Sequence, residues 1–263
     1  MLPGCAPPKQ VRRRVSNTPN AQGLIELGPM RDARGMGDLL TVTPCADRLP
    51  NAVLLIPPEL QNYACFFDGL CPVRITDDYP EFPFCADRPV VESNLAIVGI
   101  AAKPGVLPIV KLTQDEKVYA FKAIKSYPNP VAIVPTCSRQ WMGVRAKPAD
   151  HWGPIVDALR ERHTVLQFGY PEFPGIKGAV RMEFTGYRRL AALYSQIGRG
   201  VMLNTGDYHL LLAVGGKCVV LERPEREMPN MASVWKYRLP ERARYPSIHS
   251  HAEIIQEFKW LNE

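Results

Sequence analysis

Val201–Glu222 reads VMLNTGDYHLLLAVGGKCVVLE and decides the fold class. It divides into a short apolar strand (Val201–Leu203), a polar turn with one glycine (Asn204–Asp207) and an apolar helix (Tyr208–Val214). A Gly215-Gly216 stop and a second buried strand (Cys218–Leu221) follow. A strand that feeds a helix through small residues leaves unpaired backbone N–H groups at the helix start. With the helix dipole, those groups attract a phosphate or another anion. The same turn also serves a plain strand–helix–strand unit without a ligand, because one Gly-containing turn is a weak signal.

Working outward, short apolar runs alternate with amphipathic segments along the 263 residues, which argues an α/β protein with mainly parallel sheet. Further strands are expected at Leu24–Leu27, Ala52–Ile56, Val73–Ile75, Val131–Val134 and Thr164–Phe168. Helices are expected at Asp38–Arg48, Pro58–Asp68, Gln114–Lys125, Pro148–Arg162, Tyr187–Ile197 and Ser250–Leu261. Proline crowds Tyr79–Pro108, which reads as irregular connection. It also crowds Ser126–Pro130 (SYPNP), which reads as a domain boundary. The expected organisation is a loose basic tail over 1–20, an N-terminal α/β domain over 21–126, and a C-terminal α/β domain with a terminal helix over 127–263.

A hydrophobic fraction of 46% suits a globular protein with a substantial core. No apolar run approaches the roughly 20 residues that cross a bilayer, and the first twenty residues lack the apolar segment of a secretory signal. The seven cysteines are odd in number and contain no Cys-x-x-Cys pair, which disfavours a disulfide framework and a structural zinc site. A cytoplasmic location follows as the expectation. His249-Ser250-His251 reads as solvated histidines, with a metal pair as the rarer alternative. The net charge of +6 permits a polyanionic partner, phosphorylated glycolipid and nucleic acid alike. Its clearest cluster, Arg12-Arg13-Arg14, also fits a solubilising arm.

Asn204-Thr205-Gly206-Asp207-Tyr208-His209 runs into a Leu-rich helix, and GMGDLLTVTPCADRLPNAVLLI (Gly35–Ile56) and VAIVPTCSRQWMGVRAKPADHW (Val131–Trp152) precede it in that order. The three resemble motifs of the ADP-heptose:lipopolysaccharide heptosyltransferases (glycosyltransferase family nine): the first its donor-site turn, the second its first loop, helix and strand, the third the strand and loop that open its second domain. The resemblance implies two Rossmann-like domains in the B-type glycosyltransferase arrangement, the N-terminal one shortened, with ligands in the cleft between them. It implies a metal-independent, inverting glycosyltransferase without a cofactor, taking a nucleotide-diphospho-sugar as donor. Attachment at the inner membrane surface would follow from a glycolipid acceptor.

Sugar transfer from a nucleotide needs a base for the acceptor hydroxyl and positive charge for the departing diphosphate. The resemblance makes Asp38 the base; as a plain residue, Asp38 also suits a helix cap. It places Arg145 on the diphosphate, with Arg139 and Lys147 as alternatives in the same loop. Thr136 and Ser138 would donate hydroxyl bonds there, and Thr205 and Gly206 backbone amides. His209 would hold the turn or touch the donor. Asn204 replaces an Asp that the family aims at the donor sugar. Glu172, in FGYPE, matches the family's Gly-x-x-Glu, and also reads as a solvated loop acid. Trp141 and Trp152 could stack on a base, Trp152 fitting the core better. Asp77-Asp78 makes a poor metal motif. The rival readings are the same fold acting on nucleic acid or nucleotide acceptors, a catalytically inactive nucleotide-sugar-binding protein, and, more remotely, a nucleotide-sugar epimerase.

Overall fold

The computed structural model describes residues 13–30, 35–83, 89–136, 149–169, 172–222, 236–237 and 239–262. The strand β1 (Ile25–Leu27) starts a three-stranded parallel sheet; β2 (Ala52–Ile56) lies in its middle and β3 (Val73–Ile75) on its far edge. Ile25 stands opposite Ala52, and Leu54 opposite Val73. Every residue of β2 is buried, as a central parallel strand covered on both faces requires.

Between β1 and β2, the single helix expected over Asp38–Arg48 is two short ones, α1 (Met36–Leu40) and α2 (Thr43–Arg48). Pro44 has no N–H to give the Leu40 carbonyl one turn back. The Thr43 hydroxyl donates to that carbonyl instead, at 2.8 Å, and itself accepts the Ile109 amide at 2.8 Å. The expected helix after β2 is a 3₁₀ helix over Pro58–Phe67. The proline-crowded stretch expected to be irregular contains a further helix, α3 (Val90–Ile97). Its prolines lie outside the helix, Pro89 at its N-cap, and Val90, Val91 and Leu95 are buried. The tail expected to be loose through residue 20 is tied down from Arg13 onward. Arg14 bridges to Glu81, Val15 is buried, and Arg13 pairs with Glu26 at 2.9 Å.

The larger sheet is parallel throughout and has six strands in the order β6-β5-β4-β7-β8-β9. They are β4 (Pro130–Val134), β5 (Thr164–Gln167), β6 (Val180–Arg181), β7 (Arg199–Leu203), β8 (Lys217–Leu221) and β9 (Ala243–Arg244). The edge strands β6 and β9 are two residues each, too short to leave a periodic signal in the sequence.

Strand periodicity sorts the core into two layers. Val131, Ile133, Val165, Val201, Leu203, Val219 and Leu221 face one cluster, with α5 (Ala149–Arg160) and the terminal α8 (His251–Leu261). Ala132, Val134, Leu166, Met202, Cys218 and Val220 face the other, with α4 (Gln114–Ile124), α6 (Tyr187–Ile197) and α7 (Gly206–Ala213). That second cluster runs without a break into Ile25, Leu27, Leu39, Leu54 and Phe66, so one apolar body joins the two sheets.

Although α4 precedes the SYPNP stretch, it packs along α6 on the larger sheet. Glu116 of α4 takes a two-pronged pair from Arg188 of α6, each arm 2.7 Å. The chain therefore changes partner sheet before Thr113, upstream of the proline stretch.

Candidate functional site between the two sheets

Crevices beyond the carboxyl ends of parallel strands are where such sheets hold ligands. Two helix starts meet there. After β1 and the connection that follows it, α1 begins at Gly35; after β7, α7 begins at Thr205, whose extended backbone serves as the N-cap. All six residues from Tyr208 to Ala213 are buried, because α7 is wedged between the larger sheet and α1.

Both helix starts carry a glycine, and the two glycines face each other. A Cβ added to Gly37 would lie 3.0 Å from His209 Cδ2 and 3.4 Å from Gly206 Cα. One added to Gly206 would lie 3.0 Å from Met36 Cβ and 3.1 Å from the Gly37 nitrogen. The approach of the two halves thus depends on both residues lacking a side chain.

Asp38 is half-buried in the first turn of α1, and its Oδ2 accepts the Gly35 amide at 3.1 Å. It is a helix cap in this structure. Next to it, His209 is 3% exposed, its Nδ1 2.5 Å from the Tyr237 hydroxyl and its ring 4.0 Å from that of Tyr208. His209 therefore locks the turn to residues 236–237 of the later chain. Asp207, one position past Gly206, accepts the Tyr194 hydroxyl at 2.8 Å. Burial raises its carboxyl above the ordinary range, against the lowering effect of that hydrogen bond.

Asn204 follows β7, and its side-chain amide donates to Glu222 Oε1 at 2.8 Å. Glu222 follows β8, is 6% exposed, and takes Lys236 Nζ on its other oxygen at 2.7 Å. A carboxylate thus stands beside Asn204, one strand away, on a residue that the sequence reading passed over.

Thr136, just past β4, is buried against Gly169, just past β5. Gly169 has φ +121, and a Cβ there would collide with Thr136 Oγ1. The only trace of this contact in the sequence is the Phe168-Gly169 pair at the strand end. Glu172 follows the same strand and is exposed, separated from β7 by β4 in the sheet. The structure therefore brings Asp38, Asn204, Thr205, Gly206 and His209 together and leaves Glu172 further along the same edge. Ser138, Arg139, Trp141, Arg145 and Lys147 lie outside the described residues.

Trp152 is fully buried in the core behind the sheet. His251 starts α8 and packs against His151, ring centroids 4.5 Å apart and planes tilted by 36°, while His249 is exposed. Asp78 pairs with Arg13 at 3.4 Å. No group of three or more His, Cys, Asp or Glu side chains among the described residues is arranged to hold a metal ion. Cys45, Cys65, Cys71 and Cys218 are free thiols; burial pushes Cys65 and Cys71 up to about 11 and Cys45 to about 12. Such thiols are poor nucleophiles near neutral pH. Among the described residues, no helix is long and apolar enough to cross a membrane.

No protein-family model matches the chain, and no curated protein sequence matches it. Solved structures do. E. coli ADP-heptose LPS heptosyltransferase II matches with a TM-score of 0.65 at 12% identity, over 90% of this chain and 97% of its own. A family 9 glycosyl transferase from Veillonella parvula gives 0.62 at 10% identity, over 89% of each chain. E. coli heptosyltransferase WaaC with ADP-2-deoxy-2-fluoro heptose gives 0.58 at 10% identity, over 90% and 99%. The likeness is one of fold: two Rossmann-like units in the B-type glycosyltransferase arrangement, along nearly the whole chain.

Proposed function

We propose that the protein is a metal-independent, inverting glycosyltransferase that uses a nucleotide-diphospho-sugar. The acceptor hydroxyl oxygen attacks the anomeric carbon, and the bond from that carbon to the diphosphate breaks. Asp38 takes the hydroxyl proton. The diphosphate leaves with the bonding electron pair, its charge met by the amides of Thr205 and Gly206 at the start of α7 and by Arg145. The donor lies on the C-terminal half and the acceptor on the N-terminal half, in a cytoplasmic protein. A phosphorylated glycolipid, which suits the charge of +6, would bring it to the membrane surface.

One observation carries this reading. The two glycine-led helix starts meet within van der Waals reach across the cleft, with Asp38 on one and Thr205-Gly206 on the other. Base and anion site are then adjacent, as a direct displacement needs.

A thermal-shift screen against nucleoside diphosphates and their sugars tests the donor site. A ligand at 100 times its dissociation constant stabilises a fold by about 2.7 kcal/mol. A shift with one nucleotide series, diminished in Arg145→Ala, supports the reading. No shift with any nucleotide removes it. Release of the nucleoside diphosphate on adding an acceptor then separates a transferase from an inactive binding protein.

A further inference from the structure

We propose that the outer face of α4 docks the protein on an anionic lipid membrane, independently of the donor site and of any glycolipid acceptor. Two rows at i, i+4 spacing run side by side here: Gln114, Val118 and Lys122, and Lys117, Phe121 and the C-cap Lys125. All six residues are exposed, Phe121 by 60% and Val118 by 40%. The opposite side of α4 is engaged. Ala120 and Ile124 lie in the core shared with α6, and Glu116 pairs with Arg188. Val118 and Phe121 thus stand on a helix that cannot turn to hide them.

The composition of this face selects its partner. Protein interfaces are poor in lysine, and their desolvated centres are rich in aromatic residues and arginine. On α4 the exposed lysines outnumber the exposed apolar side chains and flank them along both rows. The acids Asp115 and Glu116 lie in the first turn, and Glu116 is neutralised by Arg188, so the rest of the helix is positive. An anionic bilayer accepts this pattern as it stands. Its headgroups attract the three ammonium groups on their long stems, and the Phe121 ring enters the boundary between headgroups and acyl chains. Both contacts come from side chains projecting off a convex helix, so no matching groove is needed.

Vesicle flotation tests this on wild type, Phe121→Ser, the triple variant Lys117→Gln/Lys122→Gln/Lys125→Gln, and Ile255→Ser. Ile255 is 39% exposed on α8, which packs on the other face of the larger sheet. Wild type should float with vesicles of equal parts phosphatidylglycerol and phosphatidylcholine and not with phosphatidylcholine alone, and binding should fall as salt rises. Each lysine lost should weaken binding about fivefold, and the triple variant about a hundredfold. Phe121→Ser should weaken it about tenfold, and Ile255→Ser should bind as wild type does. Equal flotation on both vesicle types, equal weakening by Phe121→Ser and Ile255→Ser, or no weakening by the triple variant overturns the proposal. Weakening by the triple variant alone, with Phe121→Ser unchanged, assigns the face to a soluble polyanion and also overturns it. Self-association of wild type without lipid, abolished by Phe121→Ser, does the same in favour of a second copy of the chain. Phe121→Trp gives a further reading: brominated acyl chains should quench its fluorescence beyond that of the native tryptophans, and no added quenching overturns insertion. These variants should all keep the thermal response to nucleotide. Failure to float therefore leaves the donor-site reading standing, and an absent nucleotide response leaves this face standing.

Discussion

Gly37 and Gly206 touch across the cleft, the nitrogen of one 3.1 Å from where a side chain on the other would begin. This contact sets the separation of α1 and α7, and hence of Asp38 and the Asn204–His209 turn. Gly206→Ala is expected to push against Met36 Cβ and the Gly37 backbone, at 3.0 and 3.1 Å, neither of which can rotate away. Overpacking of this kind costs about 1–3 kcal/mol. The variant should unfold at lower denaturant and lose its thermal response to nucleotide more completely than its stability. A variant with full nucleotide response would show that the contact does not set the site.

Arg188 joins three parts of the molecule. It pairs with Glu116 of α4, and it donates to the Cys65 carbonyl of the 3₁₀ helix at 3.2 Å and to the Lys111 carbonyl at 2.6 Å. Both partners of the pair are largely buried, at 15% and 18% exposure, so Arg188→Ala strands a carboxylate and two carbonyls. A loss of about 3 kcal/mol is expected from urea unfolding. Burial alone would raise Glu116, but the Arg188 and Thr113 hydrogen bonds hold it below its ordinary value. Its stabilising effect is therefore complete above the unfolded value, about 4.3, and fades as pH falls through the depressed folded value. The penalty of Glu116→Gln should shrink over that acid window; a penalty independent of pH would assign Glu116 a packing role instead.

The strands were legible because buried parallel strands are apolar runs bounded by turn residues, and each of the seven expected ones is present within two residues of its expected ends. What the sequence hid was set by contacts distant along the chain. The break between α1 and α2 at Pro44 is secured by the Thr43 hydroxyl, which meets the distant Ile109 amide, and α3 was masked by prolines that stand outside it. In the site, the turn at Asn204–His209 could be read from its small residues and the strand before it. Glu222 could not. Nothing in CVVLE marks it as a partner of Asn204 until the register of β7 against β8 sets the two side by side. The same holds for Tyr237 on His209 and Gly169 behind Thr136, pairs made by topology and not by spacing.

Asp207 gives a pH signature of opposite sign to that of Glu116. Its folded carboxyl lies above the ordinary value because burial disfavours the charge. Stability from this group is full below about pH 4 and is lost as pH rises through the raised folded value. Asp207→Asn keeps an acceptor for the Tyr194 hydroxyl and removes the charge. Its melting temperature should match wild type near pH 4 and exceed it at about pH 8. A constant difference across that range would mean that the carboxyl titrates alike in the folded and unfolded chain.

One substitution separates the cap seen at Asp38 from the base proposed for it. As a cap it accepts the Gly35 amide at 3.1 Å, which an Asn side-chain oxygen does equally well. As a base it must receive a proton, which a neutral amide cannot. Asp38→Asn should therefore melt close to wild type and bind the donor unchanged, because the helix start and the Thr205-Gly206 turn are untouched. Turnover should fall by about 10²–10⁴-fold, the usual contribution of a general base. Asp38→Ala removes the cap as well and should lose about 1 kcal/mol of stability in addition. If Asp38→Asn turns over as wild type does while Asp38→Ala is unstable, the carboxylate is a cap alone, and the proton must leave by another group on the N-terminal half.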